Sequence, residues 1–131
     1  MRYMGIDFGM KRIGVALSDT GGSIAFPHST VHRRGNVFVY DQILALVRQE
    51  QVGAMVIGLP LGMDGGETEE SGRVREFAKE LALKTRIPIE FENEMFSSRM
   101  ATDAGVSKGH VDESSAALVL QTYLDKRNRN K

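Results

Sequence analysis

Asp7 lies between Ile6 and Phe8 in a run, Arg2 to Phe8, whose other residues read as a buried strand. Aspartate is among the residues least suited to a strand interior, and a buried carboxylate needs a compensating charge or donor. A metal ion or a phosphate site is the natural candidate. Gly9 is expected to take a positive φ, after which Ile13-Gly14-Val15-Ala16-Leu17 returns as a second strand, holding Lys11 and Arg12 at the turn beside the carboxylate. The plainer alternative is a surface hairpin whose aspartate is capped by its own turn.

Beyond the hairpin the punctuation continues. Thr20-Gly21-Gly22 signals a turn, and Ser23 to His32 reads as a third antiparallel strand that Pro27 assigns to an edge. His28 and His32 on such an edge are expected to be solvated rather than metal ligands. Asn36 is a candidate cap for a helix in which Val39, Ile43, Leu46 and Val47 follow the helical period up to Glu50. Ala54-Met55-Val56-Ile57-Gly58-Leu59 is a continuous apolar run, expected to be a central parallel strand reached through the helical crossover. The glycine-rich loop Pro60 to Glu67 follows at that strand's carboxyl end, where open α/β sheets place their sites. Thr68 then caps a helix with Glu69 and Glu70 in its first turn and an apolar stripe of Val74, Phe77, Ala78, Leu81 and Ala82.

Arg86 to Glu94 alternates as a strand with Ile87, Ile89 and Phe91 on one face. A short helix capped by Ser97 or Ser98, a polar linker over 105–110, and a last helix opened by Asp112 complete the chain. That helix carries Ser115, Ala116, Val119, Leu120 and Tyr123 inward, and the basic tail, about 126–131, is expected to fray.

Length and composition bound the function classes. A chain of 131 residues with 41% hydrophobic and 26% charged residues fits a single globular domain spanning 1–131, with no run of membrane-spanning length. Cysteine is absent, so disulfides and thiolate metal sites are excluded, and the first residues lack the apolar core of a secretory signal; a cytoplasmic protein is expected. Seventeen Lys plus Arg balance seventeen Asp plus Glu, so a nucleic-acid partner must be held by local basic patches.

Three strands, then alternating helix and strand, then closing helices is the element order of the ribonuclease H-like fold: α/β, with a mixed five-stranded sheet flanked by helices. The motifs add a closer resemblance. Asp7-Phe8-Gly9-x-Lys11-x-Ile13-Gly14-Val15-Ala16, Val56-Ile57-Gly58-Leu59-Pro60-Leu61-x-Met63-Asp64-Gly65, Arg75-x-Phe77-Ala78 and Lys108-Gly109-x-Val111-Asp112-x-x-Ser115-Ala116 resemble the YqgF family over nearly the whole chain. That family is described both as Holliday-junction resolvases and as nucleases maturing the 5′ end of 16S ribosomal RNA.

The resemblance implies a site built on Asp7, Glu94 and Asp112, carboxylates of the type that hold Mg²⁺ or Mn²⁺ for phosphodiester cleavage. Where the family usually carries Asp-Glu-Arg-Leu followed by Thr or Ser, this chain has Asn93-Glu94-Met95-Phe96-Ser97, so Glu94 is kept while an acid and an arginine are lost. Asp112 also fits a plain helix cap. Lys11, Arg12, Arg75 and Lys108 are candidate phosphate contacts, Arg73 a weaker one. The expected activity is a metal-dependent nuclease on structured RNA or branched DNA. Two other classes stay open: a nucleic-acid-binding protein without cleavage, and an actin-like ATP-binding fragment, whose first phosphate loop the Asp7 hairpin also resembles but which would lack a second lobe here.

Overall fold

The computed structural model describes residues 1–94 and 112–129. Its elements run β1 (Arg2–Phe8), β2 (Arg12–Ser18), β3 (Ala25–His32), α1 (Asn36–Gln49), β4 (Val52–Leu59), α2 (Glu69–Thr85), β5 (Ile89–Asn93) and a last helix, α3 (Glu113–Arg129). The short helix expected after Glu94, and with it Met95 and Lys108, lies outside the described residues.

The strands form one five-stranded sheet in the order β3-β2-β1-β4-β5. β1 is antiparallel to β2 and parallel to β4, and β4 is parallel to β5, so the sheet is mixed as expected. The centre belongs to β1, not to the apolar run of β4. The hairpin satisfies one edge of β1 with β2, and the crossover through α1 delivers β4 to the other edge.

Strand alternation sorts the two faces. Met4, Ile6 and Phe8 of β1 join Ile13 and Val15 of β2 and Met55 and Ile57 of β4 in a core covered by Val39, Ile43 and Val47 of α1 and Val74, Phe77 and Leu81 of α2. The other face buries Tyr3, Ala16, Ala54 and Val56 under Ala116, Val119, Leu120 and Leu124 of α3. Asp7, two residues on from Gly5 and four from Tyr3, points to this second face.

Helix ends follow local chemistry with one exception. Thr68 accepts from the Ser71 N–H and the Ser71 hydroxyl closes a capping box, as the sequence predicts for the start of α2. At α1 the cap is Gly35 with φ 144°, a conformation glycine adopts without strain, and Asn36 is the first helical residue instead. Gly9 is not among the described positive-φ residues; its N–H closes a tight turn onto the Arg12 carbonyl at 3.0 Å. The basic tail is helical to Arg129. The Lys126 ammonium pairs with buried Glu92 at 2.9 Å, the Arg127 guanidinium lies over Tyr3, and Asn128 donates to the Gly22 carbonyl. Such partners compensate a buried carboxylate and hold the end of the helix on the sheet.

Candidate functional site

The site is built at the carboxyl end of β1 by close approach of three elements. Asp7 pairs in register with Gly14 of β2, and a Cβ on Gly14 would meet the Asp112 carbonyl oxygen at 1.9 Å. Glycine at this position is what lets the start of α3 descend onto the sheet beside Asp7. Gly58 does the same on the β4 side, where a Cβ would lie 3.3 Å from the Glu94 carboxyl carbon and 3.2 Å from Val119. The Glu94 side chain therefore crosses over Gly58 toward Asp7. Gly14→Ala is expected to force α3 off the hairpin, costing about 1–3 kcal/mol from overpacking and separating Asp112 from Asp7. A thermal melt and a cleavage assay on the variant check this; an unchanged melting temperature would show that the contact yields easily.

Asp7 is 3% exposed, and its Oδ1 has no hydrogen-bond partner among the described residues. The turn does not cap it, which removes the surface-hairpin alternative. Glu94 donates a carboxyl proton to Asp7: burial first, then this hydrogen bond and the Asp7 charge, push Glu94 up to about 10. Burial also raises Asp7, opposed by the bond from Glu94 and reinforced by the charges of Asp112 and Glu70. One proton is thus held between two carboxyl groups that cannot both ionise cheaply without a cation.

Asp112 Oδ1 accepts from the N–H groups of Ser114 and Ser115, each at 3.0 Å, so it caps α3, and its charge still reaches Asp7. The cap reading of this residue is the one its hydrogen bonds show. In the sequence Glu70 reads only as a partner of the helix dipole; its charge reaches Asp7 and Glu94 because α2 starts beside the end of β1, and no local pattern signals that.

The candidate phosphate contacts differ in their surroundings. Lys11 is exposed at the hairpin turn and Arg12 is half-buried opposite His32 at the start of β2. The Arg75 guanidinium grips Glu67 through two hydrogen bonds of 2.7 and 3.0 Å and lies over Phe91, and Arg73 faces Glu69 at 3.6 Å. The structure leaves Lys11 and Arg12 at the β1–β2 turn and gives Arg75 a carboxylate partner already. His28 is exposed with Ser29 as its partner.

Among the described residues no group of three or more His, Asp or Glu side chains is arranged to hold a metal ion. The assembled core is the Asp7–Glu94 pair, with Asp112 in electrostatic range. An all-oxygen donor set with one buried, unpartnered oxygen and one proton that a cation would replace fits a hard divalent ion.

The family model described as "RuvX: Holliday junction resolvase" matches residues 1–126. The chain belongs to the RuvX family. This is the family its motifs resemble under the name YqgF. A relative from Nitratidesulfovibrio vulgaris is 40% identical over 133 residues, covering 95% of this chain and 94% of its own length, and one from Anaeromyxobacter is 40% identical over 136 residues, covering 98% and 99%. Each carries the name "Putative pre-16S rRNA nuclease". Among solved structures, RuvC of Thermus thermophilus in complex with a Holliday junction substrate superposes with a TM-score of 0.63 at 11% identity, covering 98% of this RuvX-family chain and 96% of RuvC. That likeness is one of fold, and it makes the mixed sheet ribonuclease H-like. No helix among the described residues is long and apolar enough to cross a membrane.

Proposed function

We infer that this chain is a metal-dependent endonuclease that processes the 5′ end of pre-16S ribosomal RNA, acting in the cytoplasm as a single domain over residues 1–131. The observation that carries the reading is the buried Asp7–Glu94 pair, with its unpartnered oxygen, at the carboxyl end of the central strand. The names of the relatives supply the substrate.

Asp7, Glu94 and Asp112 would hold Mg²⁺ or Mn²⁺. Bound there, such an ion supplies Lewis acidity to activate water and to offset charge on the leaving oxygen. Asp7 is fixed by the sheet and aims one oxygen into the site. Glu94, which carries a proton in the metal-free protein, would have to release it to serve as a ligand. Asp112, fixed by its capping bonds, adds charge from the helix start. Lys11 and Arg12, with Lys108 from outside the described residues, contact the phosphates, while Arg75 must exchange Glu67 for a phosphate to do so.

The test is incubation of the purified protein with precursor ribosomal RNA and with a four-way DNA junction, each with Mg²⁺, Mn²⁺ or chelator. Product from the RNA with metal and none with chelator is expected. Product from the junction alone favours the second reading, junction resolution, which the description of the family model supports. Product in chelator overturns metal dependence.

A further inference from the structure

We propose that the corner formed by the β1–β2 turn and the β3–α1 turn binds an unpaired segment of the polynucleotide substrate, with Phe38 as the platform on which one nucleobase stacks. The proposal rests on the nucleic-acid reading above and adds residues that reading does not use.

The corner is one rigid piece. The Arg33 N–H donates to the Lys11 carbonyl at 2.9 Å, its guanidinium donates to the carbonyls of Met10 at 3.1 Å and Gly9 at 3.3 Å, and the same guanidinium lies over Phe8. Arg33 thereby ties the start of α1 to the turn that follows Asp7. Apolar groups stand open on it: Met10 is 62%, Val37 73% and Phe38 37% exposed, with the Arg34 guanidinium 5.7 Å from the Phe38 ring centroid. An exposed aromatic among cations is the arrangement that takes a base on its π-face and a phosphate on its charge.

Charge selects the occupant. Between Phe8 and Tyr40 the chain has one carboxylate, Asp19, against Lys11, Arg12, Arg33 and Arg34. Among the described residues Lys11, Arg12 and Arg34 enter no salt bridge. The neighbouring cleft of about 720 Å³ between Met10 and α2 is the competing path, but on its walls Glu69, Glu76 and Glu80 outnumber Arg33 and Arg73, a balance less favourable to phosphates than that of the corner. The strand leaving the Asp7 site therefore runs over the α1 corner and away from α2. Duplex nucleic acid keeps its bases stacked on each other and has none to offer Phe38.

The experiment measures binding of a single-stranded RNA oligonucleotide in chelator, where no cleavage occurs, with a duplex RNA of the same sequence and the corresponding single-stranded DNA as comparison arms. Phe38→Ala and Phe38→Leu are expected to weaken single-strand binding roughly tenfold, and Phe38→Trp to retain it, because stacking needs the ring and not merely apolar bulk. The DNA strand should lose as much as the RNA strand, since the base carries the contact, whereas duplex RNA should lose less than about twofold. Arg34→Ala should lower the slope of log affinity against log salt by about one phosphate contact. Single-strand affinity unchanged in Phe38→Ala, or equal losses on single strand and duplex, overturns the proposal. Wild-type protein that binds neither RNA overturns it together with the function proposed above. Phe38-dependent binding without metal-dependent product leaves this surface standing and removes the nuclease reading alone.

Discussion

Asp7→Asn is expected to abolish cleavage while melting at a higher temperature than wild type in chelator. Removing a group that merely supports a metal ligand costs about 10–100-fold in affinity or activity, so loss of Asp7, the ligand proposed on the central strand, should exceed about 100-fold. The stability change has the opposite sign because burial, and then the charges of Asp112 and Glu70, disfavour the ionised Asp7 carboxylate when no cation offsets it. The amide nearly conserves volume and gives Glu94 a neutral partner. A relief of about 1 kcal/mol corresponds to roughly 2–8 °C for a domain of this size class. Excess Mg²⁺ or Mn²⁺ should reverse the order, since an ion that binds the folded wild type stabilises it by mass action and the variant lacks a ligand. Paired melts of the two proteins, with chelator and with metal, check both signs. Equal destabilisation of Asp7→Asn in the two buffers would make Asp7 a scaffold residue.

Glu94 sets how the metal-free protein responds to pH. Its carboxyl is raised from an ordinary 4.5 to about 10, so the folded state holds a proton that the unfolded chain releases. A raised carboxyl stabilises fully at pH below the unfolded value, and that contribution is lost as pH climbs toward the folded one. Metal-free wild type should therefore lose stability steadily from about pH 5 to pH 8, by at most about 1.4 kcal/mol per unit for the one proton. Glu94→Gln keeps a neutral hydrogen-bond donor for Asp7 and removes the titration. Its melting temperature should pull ahead of wild type by about 5–15 °C across that range. Metal should abolish the wild-type slope, because binding displaces the proton and so becomes tighter as pH rises. Parallel melting curves for the two proteins at every pH would mean that Glu94 is already ionised, and the shared-proton pair would be wrong.

Asp7 was legible from the first strand alone. An acid inside an apolar run of strand length has few reasons to exist, and burial with an unpartnered oxygen bears out the need for a compensating group. Asp112 as the residue that opens the last helix was legible as well, from the switch to helical period behind it. Thr68 and the α2 stripe belong with it, because a cap and a 3.6-residue period are written in neighbouring residues. Glu94 was different. On local pattern it is a charge at a strand end, and only the family resemblance raised it to a ligand.

What only the tertiary structure decided is which distant groups meet. The apolar run of β4 reads as central, yet β1 holds the centre because it pairs with β2 on one side and β4 on the other. That order brings Glu94 across Gly58 to Asp7, sets Asp112 on Gly14, and turns the first turn of α2 toward both acids. It also gives the basic end of α3 partners in Glu92 and Tyr3 where composition predicts fraying. The chain's local code thus determined its elements, their order and the acid at their centre. Register and close packing of strands far apart in sequence decided which carboxyl groups share a proton, because Coulomb and desolvation energies depend on separations and burial that exist only once the sheet has closed.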